Sequence, residues 1–528
     1  MLGASGFAFV PLLATSPDLH ANLWFPLAEK MEISAGLPFE TTYPLIISLV
    51  FFLFPSVVIG MSFPIVLAAW QARAQSVGRS TGGVYAVGTF GSVIGGLAAG
   101  FLLIPWLGVQ RGMTLTGAVI ALVGVAMLAF RRGYWKIVSG VSAVATVVII
   151  LLVPGDLFER YLVARLKSHY KAIEVLHIKE GITTTATIHT QNQTMWTVPL
   201  SADKLVQRSV PTEGPTRHIA VSGLHVASDE PGQSAWQKFH GHSAMLLHGN
   251  AKRAVCVGYG SGESLACMAR HQPEVLECVE ISPEAVEASL KFFPHINLGT
   301  EQDKRARIII ADGRNYLHLT DERYDVIMSD PINPTTGENG SLYSLEFFQS
   351  AREHLEPGGL FLFWLPLHLP RNVLESILAT AMEAYPYITV WTVPIAGGTF
   401  VQVVCSAEPQ KYWPLGIDRK ILANPRVRSD LERIGIPDSA ALLAHYRGDE
   451  RDIRQILQSP VVNTDDRPLV EFSTQRAMFK VTAPFILELL GCARENSLLD
   501  HIHWQGASAQ QRDAWLARQN AFRKRIIP

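Results

Sequence analysis

The sequence predicts a chain in three parts: an α-helical transmembrane bundle, a small antiparallel β region, and a nucleotide-binding α/β domain whose sheet is mostly parallel. Three observations predict it. Charge-free runs crowd the first 155 residues and lift the mean hydropathy to +0.19, with only 17% of residues charged. Short alternating runs follow, such as Thr185-Ala186-Thr187-Ile188 and His218-Ile219-Ala220-Val221, and alternation is the pattern of half-buried strands. From Arg253 to about Ser406, strand-length apolar runs alternate with helical stretches, which implies a parallel sheet covered on both faces. The 528 residues leave room for about three domains at roughly 150 each. The expected divisions are a transmembrane region at 1–155, the β region at 156–240, the α/β domain at 241–406 and a mainly helical, more charged C-terminal region at 407–528, ending amphipathically around Arg512 to Arg525.

In the membrane region, charge-free segments run from Leu45 to Trp70, Thr81 to Trp106, Gly112 to Phe130 and Ile137 to Val153. The first three reach the roughly 20 residues that cross a bilayer, and the fourth is shorter at about 17. Met1 to Ala14 is apolar but too short and lacks a basic n-region, so it reads as the end of a membrane helix begun upstream. Gly91, Gly95, Gly96 and Gly100 form small-xxx-small pairs, which predict tight helix packing in a small bundle. The spans carry no charge, which argues against a transport path. Arg73, Arg79, Arg131, Arg132 and Lys136 mark the cytoplasmic side by the positive-inside rule. One more full crossing would export the rest of the chain, whereas Arg160, Arg165, Lys167 and Lys171 pull it back. The expectation is a multi-pass protein of the cell's inner (plasma) membrane, in contact with the lipid bilayer and with its catalytic domain in the cytoplasm.

The formal net charge of −1 and the scattered basic residues exclude a nucleic-acid signature. Cys256, Cys267, Cys278, Cys405 and Cys492 form no CxxC pair, so neither a disulfide framework nor a metal site is expected. His240, His242 and His248 read as loop residues before the first strand of the α/β domain.

Within that domain the expected strands are 254–258, 275–281, 306–312, 324–330 and 359–365, with helices starting at Glu263, Pro283 and Leu345. The first strand leads into Gly258-Tyr259-Gly260-Ser261-Gly262-Glu263. Glycines at every second position let the backbone turn sharply and approach a ligand, and the following helix offers free N–H groups. Glu280, about twenty residues on, falls where ribose hydroxyls would sit. Ser329-Asp330-Pro331 places a second carboxylate at the same sheet edge, and together they suggest an enzyme using an adenosyl cofactor. Asp325 reads as a strand-start residue, Asp465, Asp466 and Arg467 as an ion-pair and turn cluster, and Trp364 as a pocket wall or core residue.

Gly258 to Gly262, Val279-Glu280, Ala311-Asp312-Gly313-Arg314, Tyr324-Asp325-Val326-Ile327, and Asp330-Pro331 through Leu342-Tyr343-Ser344-Leu345-Glu346-Phe347-Phe348 resemble the spermidine synthase (polyamine aminopropyltransferase) family. Phe363-Trp364-Leu365-Pro366-Leu367, Asn463 through Phe472, and Gly82-Gly83-Val84-Tyr85-Ala86 with Gly100-Phe101-Leu102 are similar to its bacterial membrane-fused branch, the fused MFS/spermidine synthases. The resemblance implies a Rossmann-like methyltransferase fold that binds decarboxylated S-adenosylmethionine, or S-adenosylmethionine itself, and moves an aminopropyl group to a small-molecule amine without a metal. Carried over by position, Gly258, Gly260 and Gly262 would shape the cofactor loop and Glu280 would hold the ribose. Asp312 and Gly313 would contact the adenine, and Asp330 would take a proton from the attacking amine. Asn333, Trp236 and Tyr343 would line the amine pocket, and a homodimer is allowed.

The amine half departs from the family pattern. Ser261 stands where Asp is usual, Asn333 where a second Asp is usual, and Trp236-Gln237-Lys238 where Tyr-His-Glu is usual. Lys238 would bring a positive charge into a diamine pocket that has lost acids, and Glu338 could substitute for one of them. Two other readings fit: a methyltransferase using S-adenosylmethionine on another acceptor, and a non-catalytic, transport-associated membrane protein that binds adenosyl ligands.

Overall fold

The structure is a computed structural model that describes residues 45, 49, 53–71, 76–152, 154–169, 172–201, 204–331, 333–334, 339–367, 369–392, 400–458, 460–472, 488–489, 491–494 and 496–526. Met1 to Ala14 and Glu338 lie outside the described residues. The chain divides into two compact units, 1–185 and 186–528.

The first unit contains helices α1 (Phe54–Gln71), α2 (Val77–Ala98), α3 (Ile104–Ala129), α4 (Trp135–Leu152) and α5 (Leu157–His169), then strand β1 (Glu174–Glu180). A π-helical turn, Ala99–Leu103, joins α2 to α3. Among the described residues one helical stretch, Val77–Ala129, is long and apolar enough to cross a membrane, and Trp135–Val148 is a shorter apolar helix. Gly108 breaks the long stretch with φ 77°, and Glu180 accepts the freed Val109 N–H at 2.6 Å. Among the described residues, a Cβ at Gly91, Gly95, Gly96 or Gly100 would meet nothing within 4 Å.

In the second unit, β2 (Thr185–Ser201), β3 (Lys204–Val221) and β4 (Leu224–Ser228) pair antiparallel, as the alternation predicts. Helix α6 (Pro231–His248) then runs straight through residue 240, where the sequence suggested a boundary. Glu230 starts it by accepting from the N–H groups of Gly232 and Gln233, with Pro231 at its first position. His240, His242 and His248 are therefore helical rather than loop residues.

The remaining strands are β5 (Arg253–Val257), β6 (Val275–Glu280), β7 (Ala306–Ile310), β8 (Tyr324–Ser329), β9 (Leu355–Pro366), β10 (Tyr387–Thr392), β11 (Phe400–Ser406) and β12 (Tyr446–Asp449). They form one sheet in the order β12-β10-β11-β9-β8-β5-β6-β7. The strands from β5 to β9 are parallel, while β10, β11 and β12 join antiparallel at one edge. This is a mixed Rossmann-like α/β sheet, and β10 to β12 extend the expected parallel one. β12 comes from the C-terminal region expected to be mainly helical; it carries Arg447 and Asp449, whose charges hide a strand in sequence, yet all four of its residues are buried.

Alternate residues face opposite cores. Ala254, Cys256, Val326, Met328, Leu360 and Leu362 lie in one apolar cluster. Val255, Val257, Ile327, Phe361 and Phe363 lie in the other. Burial on both faces is why these strands read as continuous apolar runs. All five cysteines are free thiols.

Candidate active site

The chain leaves β5 for β6 on one side and returns to β8 on the other, so β5 and β8 are the neighbours at which strand order reverses. Ligands of open α/β sheets bind in the crevice beyond the carboxyl ends at such a point. Val257 pairs with Ser329 there, which sets Gly258 beside Asp330. The approach is too close for a side chain: a Cβ on Gly258 would sit 2.5 Å from the Asp330 carbonyl oxygen, and φ is 101°. Gly260 completes the turn, its carbonyl accepting from Ser289 Oγ at 2.5 Å, and Gly262 precedes helix α7 (Glu263–Ala269).

Glu280 ends β6 and braces this loop. One carboxylate oxygen accepts from Tyr259 N–H and the other from Ser282 N–H, both at 2.9 Å. Burial raises its pKa despite these bonds. A carboxylate offers about four acceptor positions, so it can hold the loop and still accept from a diol. Asp312 caps helix α9, taken here as Gly313–Leu319 after α8 (Pro283–Phe292), by accepting from Asn315 N–H at 2.7 Å. Gly313 packs on the end of β5, where a Cβ would lie 2.3 Å from Val257 Cγ1. An acidic β6 end, a glycine cradle and a helix start thus edge one crevice, and the set fits an adenosine group.

Asp330 is half-buried, with its N–H on the Val257 carbonyl at 2.8 Å and its carboxylate accepting from Ser264 Oγ at 3.3 Å. Burial pushes its pKa up to about 7, against the smaller opposing effect of Ser264. Ser264, on α7, touches Asp330 although the sequence did not single it out; its position in the first turn after the glycine loop was the available signal.

The amine-side residues divide. Trp236 belongs to an aromatic wall: its ring lies 5.7 Å from Trp364 and 5.9 Å from Phe400, and Trp364 donates its indole N–H to the Pro331 carbonyl at 3.0 Å. Tyr343 stands behind that wall, fully buried, with its hydroxyl donating to the Trp364 carbonyl at 3.2 Å. Asn333 is half-buried in the connection after β8. Ser261 is fully buried and donates to Gln237 Oε1 at 2.9 Å, a neutral pair.

Lys238 does not add a free charge. Its ammonium pairs with Glu263, which also accepts from Ser234 Oγ at 2.7 Å. Glu263 is nearly fully buried, and burial raises its pKa more than Lys238 and Ser234 lower it. Asp325 accepts from the N–H groups of Lys252 and Arg253 at 2.7 and 2.9 Å, a strand-start role as expected. Asp465 pairs with Arg314, and Asn463 donates to the carbonyls of Gly340 and Tyr343, so the Asn463–Phe472 segment fastens the loop before α10 (Leu345–Glu353).

Residues 234–412 match the Spermine/spermidine synthase domain family. The polyamine aminopropyltransferase of Serratia proteamaculans is 34% identical over 146 residues, 28% of this chain and 50% of that protein. That of Klebsiella pneumoniae is 33% identical over the same shares. Residues 234–412 are thus similar to spermine/spermidine synthases. The chain spans about half the length of the curated relatives it matches. Among solved structures, a spermidine synthase in complex with the transition state analogue AdoDATO aligns with this chain at 19% identity, covering 49% of it and 89% of that chain with a TM-score of 0.37. The Thermotoga maritima spermidine synthase gives 19%, 49%, 88% and 0.36. The matched residues 234–412 include the glycine loop, Glu280, Asp312 and Asp330, as well as the wall of Trp236, Trp364 and Phe400.

Proposed function

We propose that this chain is a membrane-anchored aminopropyltransferase that moves an aminopropyl group from decarboxylated S-adenosylmethionine to an amine, with Asp330 as the base. The observation that carries the reading is the half-buried Asp330 carboxylate beside the glycine loop, with a pKa of about 7. Gly258, Gly260 and Gly262 would admit the donor's adenosine, Glu280 its ribose and Asp312 with Gly313 its adenine. When bound, the donor supplies a sulfonium whose propyl carbon is open to attack. An ammonium cannot attack until it loses a proton, and Asp330 both attracts the cation and accepts that proton. Ser264 holds the carboxylate in place, and the aromatic wall excludes water from the acceptor.

Membrane anchoring is supported by the apolar surface of the first unit. Phe90, Phe101 and Leu97 are 69%, 61% and 55% exposed on the stretch that is long enough to span, and lipid is the natural cover for a continuous apolar face of that kind. The cluster Arg160 to Lys171 supports a cytoplasmic synthase domain. Incubating the detergent-solubilised chain with the decarboxylated donor and a panel of amines tests the activity. Equal amounts of methylthioadenosine and aminopropylated amine are expected, and transfer from intact S-adenosylmethionine alone would overturn the reading.

A further inference from the structure

The antiparallel β2–β3–β4 sheet gathers three histidines that lie far apart in sequence. His189 pairs across strands with His218, and His225 comes from β4. His189 is fully buried and His218 nearly so. Three polar atoms converge: His189 Nε2 and His225 Nε2 lie 2.7 Å apart, and the Gln191 side-chain amide nitrogen lies 3.0 Å from the first and 3.2 Å from the second. His218 stacks beside both rings, at 5.7 and 5.1 Å, and its Nε2 is 2.9 Å from Thr216 Oγ1.

These three contacts cannot all be hydrogen bonds. Each imidazole Nε2 carries either one proton or one lone pair, and the amide presents either N–H donors or, turned over, a carbonyl oxygen. If the amide donates to both rings, both are acceptors and the contact between them has no proton. If its oxygen accepts from both, the two rings point protons at each other. If one ring donates to the other, the amide satisfies one ring and opposes its partner in either orientation. Protonating a ring adds nothing, because Nε2 holds at most one proton. A cation removes the conflict, since two imidazole lone pairs and the amide oxygen can all point at it.

We propose that His189, His225 and Gln191 form a binding site for a divalent transition-metal ion of the zinc class, outside the candidate active site. Ligands bonded at roughly 2.1 Å and set about 90° apart lie about 3 Å from one another, and the separations here are 2.7–3.2 Å. Imidazole with an amide oxygen favours zinc, nickel or copper over magnesium. Such an ion would clip β2 to β4 across the intervening β3. The clip lies next to the cofactor loop, because a Cβ on Gly260 would come within 3.4 Å of Ala227 on β4. The other cluster of ligand-type side chains, His242, Cys267 and Asp430, already has the Arg270 guanidinium on Asp430, and a second cation is disfavoured there.

The test uses the full chain in detergent, stripped with a chelator and titrated with zinc, with magnesium as control. One zinc per chain is expected, together with a rise in melting temperature. His225→Ala should abolish binding, Gln191→Leu should weaken it about tenfold, and His225→Cys, which restores a ligand, should recover it. Cobalt in place of zinc should show no sulfur charge-transfer band. Equal zinc uptake by wild type and His225→Ala, no uptake by wild type, or a cobalt–thiolate band reporting Cys267 would each overturn the proposal. The metal-free melting temperature of His225→Ala separates lost binding from lost folding, and the cobalt spectrum of the wild type tests the ligand set without any variant.

Discussion

At the scale of single residues, Asp330 combines a structural cost with a proposed chemical use. Its pKa is raised in the folded state to about 7, above the unfolded value near 3.9. The folded protein therefore binds the proton more tightly, so this group's contribution to stability falls as pH rises from about 4 to about 7 and is level above that. Asp330→Asn should raise the melting temperature at pH 8 and leave it unchanged at pH 4, which thermal scans at both values would show. The same substitution should cut kcat about 10²–10⁴-fold, and the wild-type kcat/KM should climb through pH 7. Ser261 is the second residue of consequence. Ser261→Asp, with the Gln237 amide turned to donate, should raise kcat/KM for a diamine relative to a monoamine about tenfold, measured by competition between the two.

At the scale of elements, α6 and α7 are held together by a buried ion pair. Lys238→Met would leave Glu263 buried without its cation, and about 3 kcal/mol of stability should be lost. Adding Glu263→Gln should recover most of it, a non-additivity that denaturant unfolding of the single and double variants would reveal. The start of α9 is equally constrained. Gly313→Ala sets a methyl 2.3 Å from Val257 Cγ1, so α9 must move away from β5. The expected result is weaker binding of methylthioadenosine with little change in secondary structure, read by calorimetry and circular dichroism. The helical repeat of α6 was open to reading in sequence, since Glu230-Pro231 is a start signal. His240 and His242 obscured it, because two histidines flanking a glycine resemble loop chemistry until the helix buries them.

At the scale of the whole molecule, the proposed anchoring predicts that the chain sediments with membranes and needs detergent, resisting alkaline carbonate extraction. Recovery of the full chain in the soluble fraction would contradict it. Cleavage within 200–240 by protease added to intact spheroplasts would place the synthase domain on the outer side, whereas the cytoplasmic reading expects protection until lysis.

Local periodicity and glycine spacing determined most of the α/β domain: β5 to β9 and the glycine loop follow from residues adjacent in the chain, because strand burial and tight turns are written locally. The same holds for Glu280 and Asp330, which end strands whose apolar runs are plain in the sequence. Tertiary structure alone decided what meets across elements. Lys238 on Glu263, Ser261 on Gln237 and Ser264 on Asp330 span from 24 to 66 residues. The convergence of His189, Gln191 and His225 depends on strand register, and shifting β2 by one residue would turn His189 and Gln191 to the opposite face. Side-chain partners of this kind are set by packing of distant segments, for which no local pattern exists.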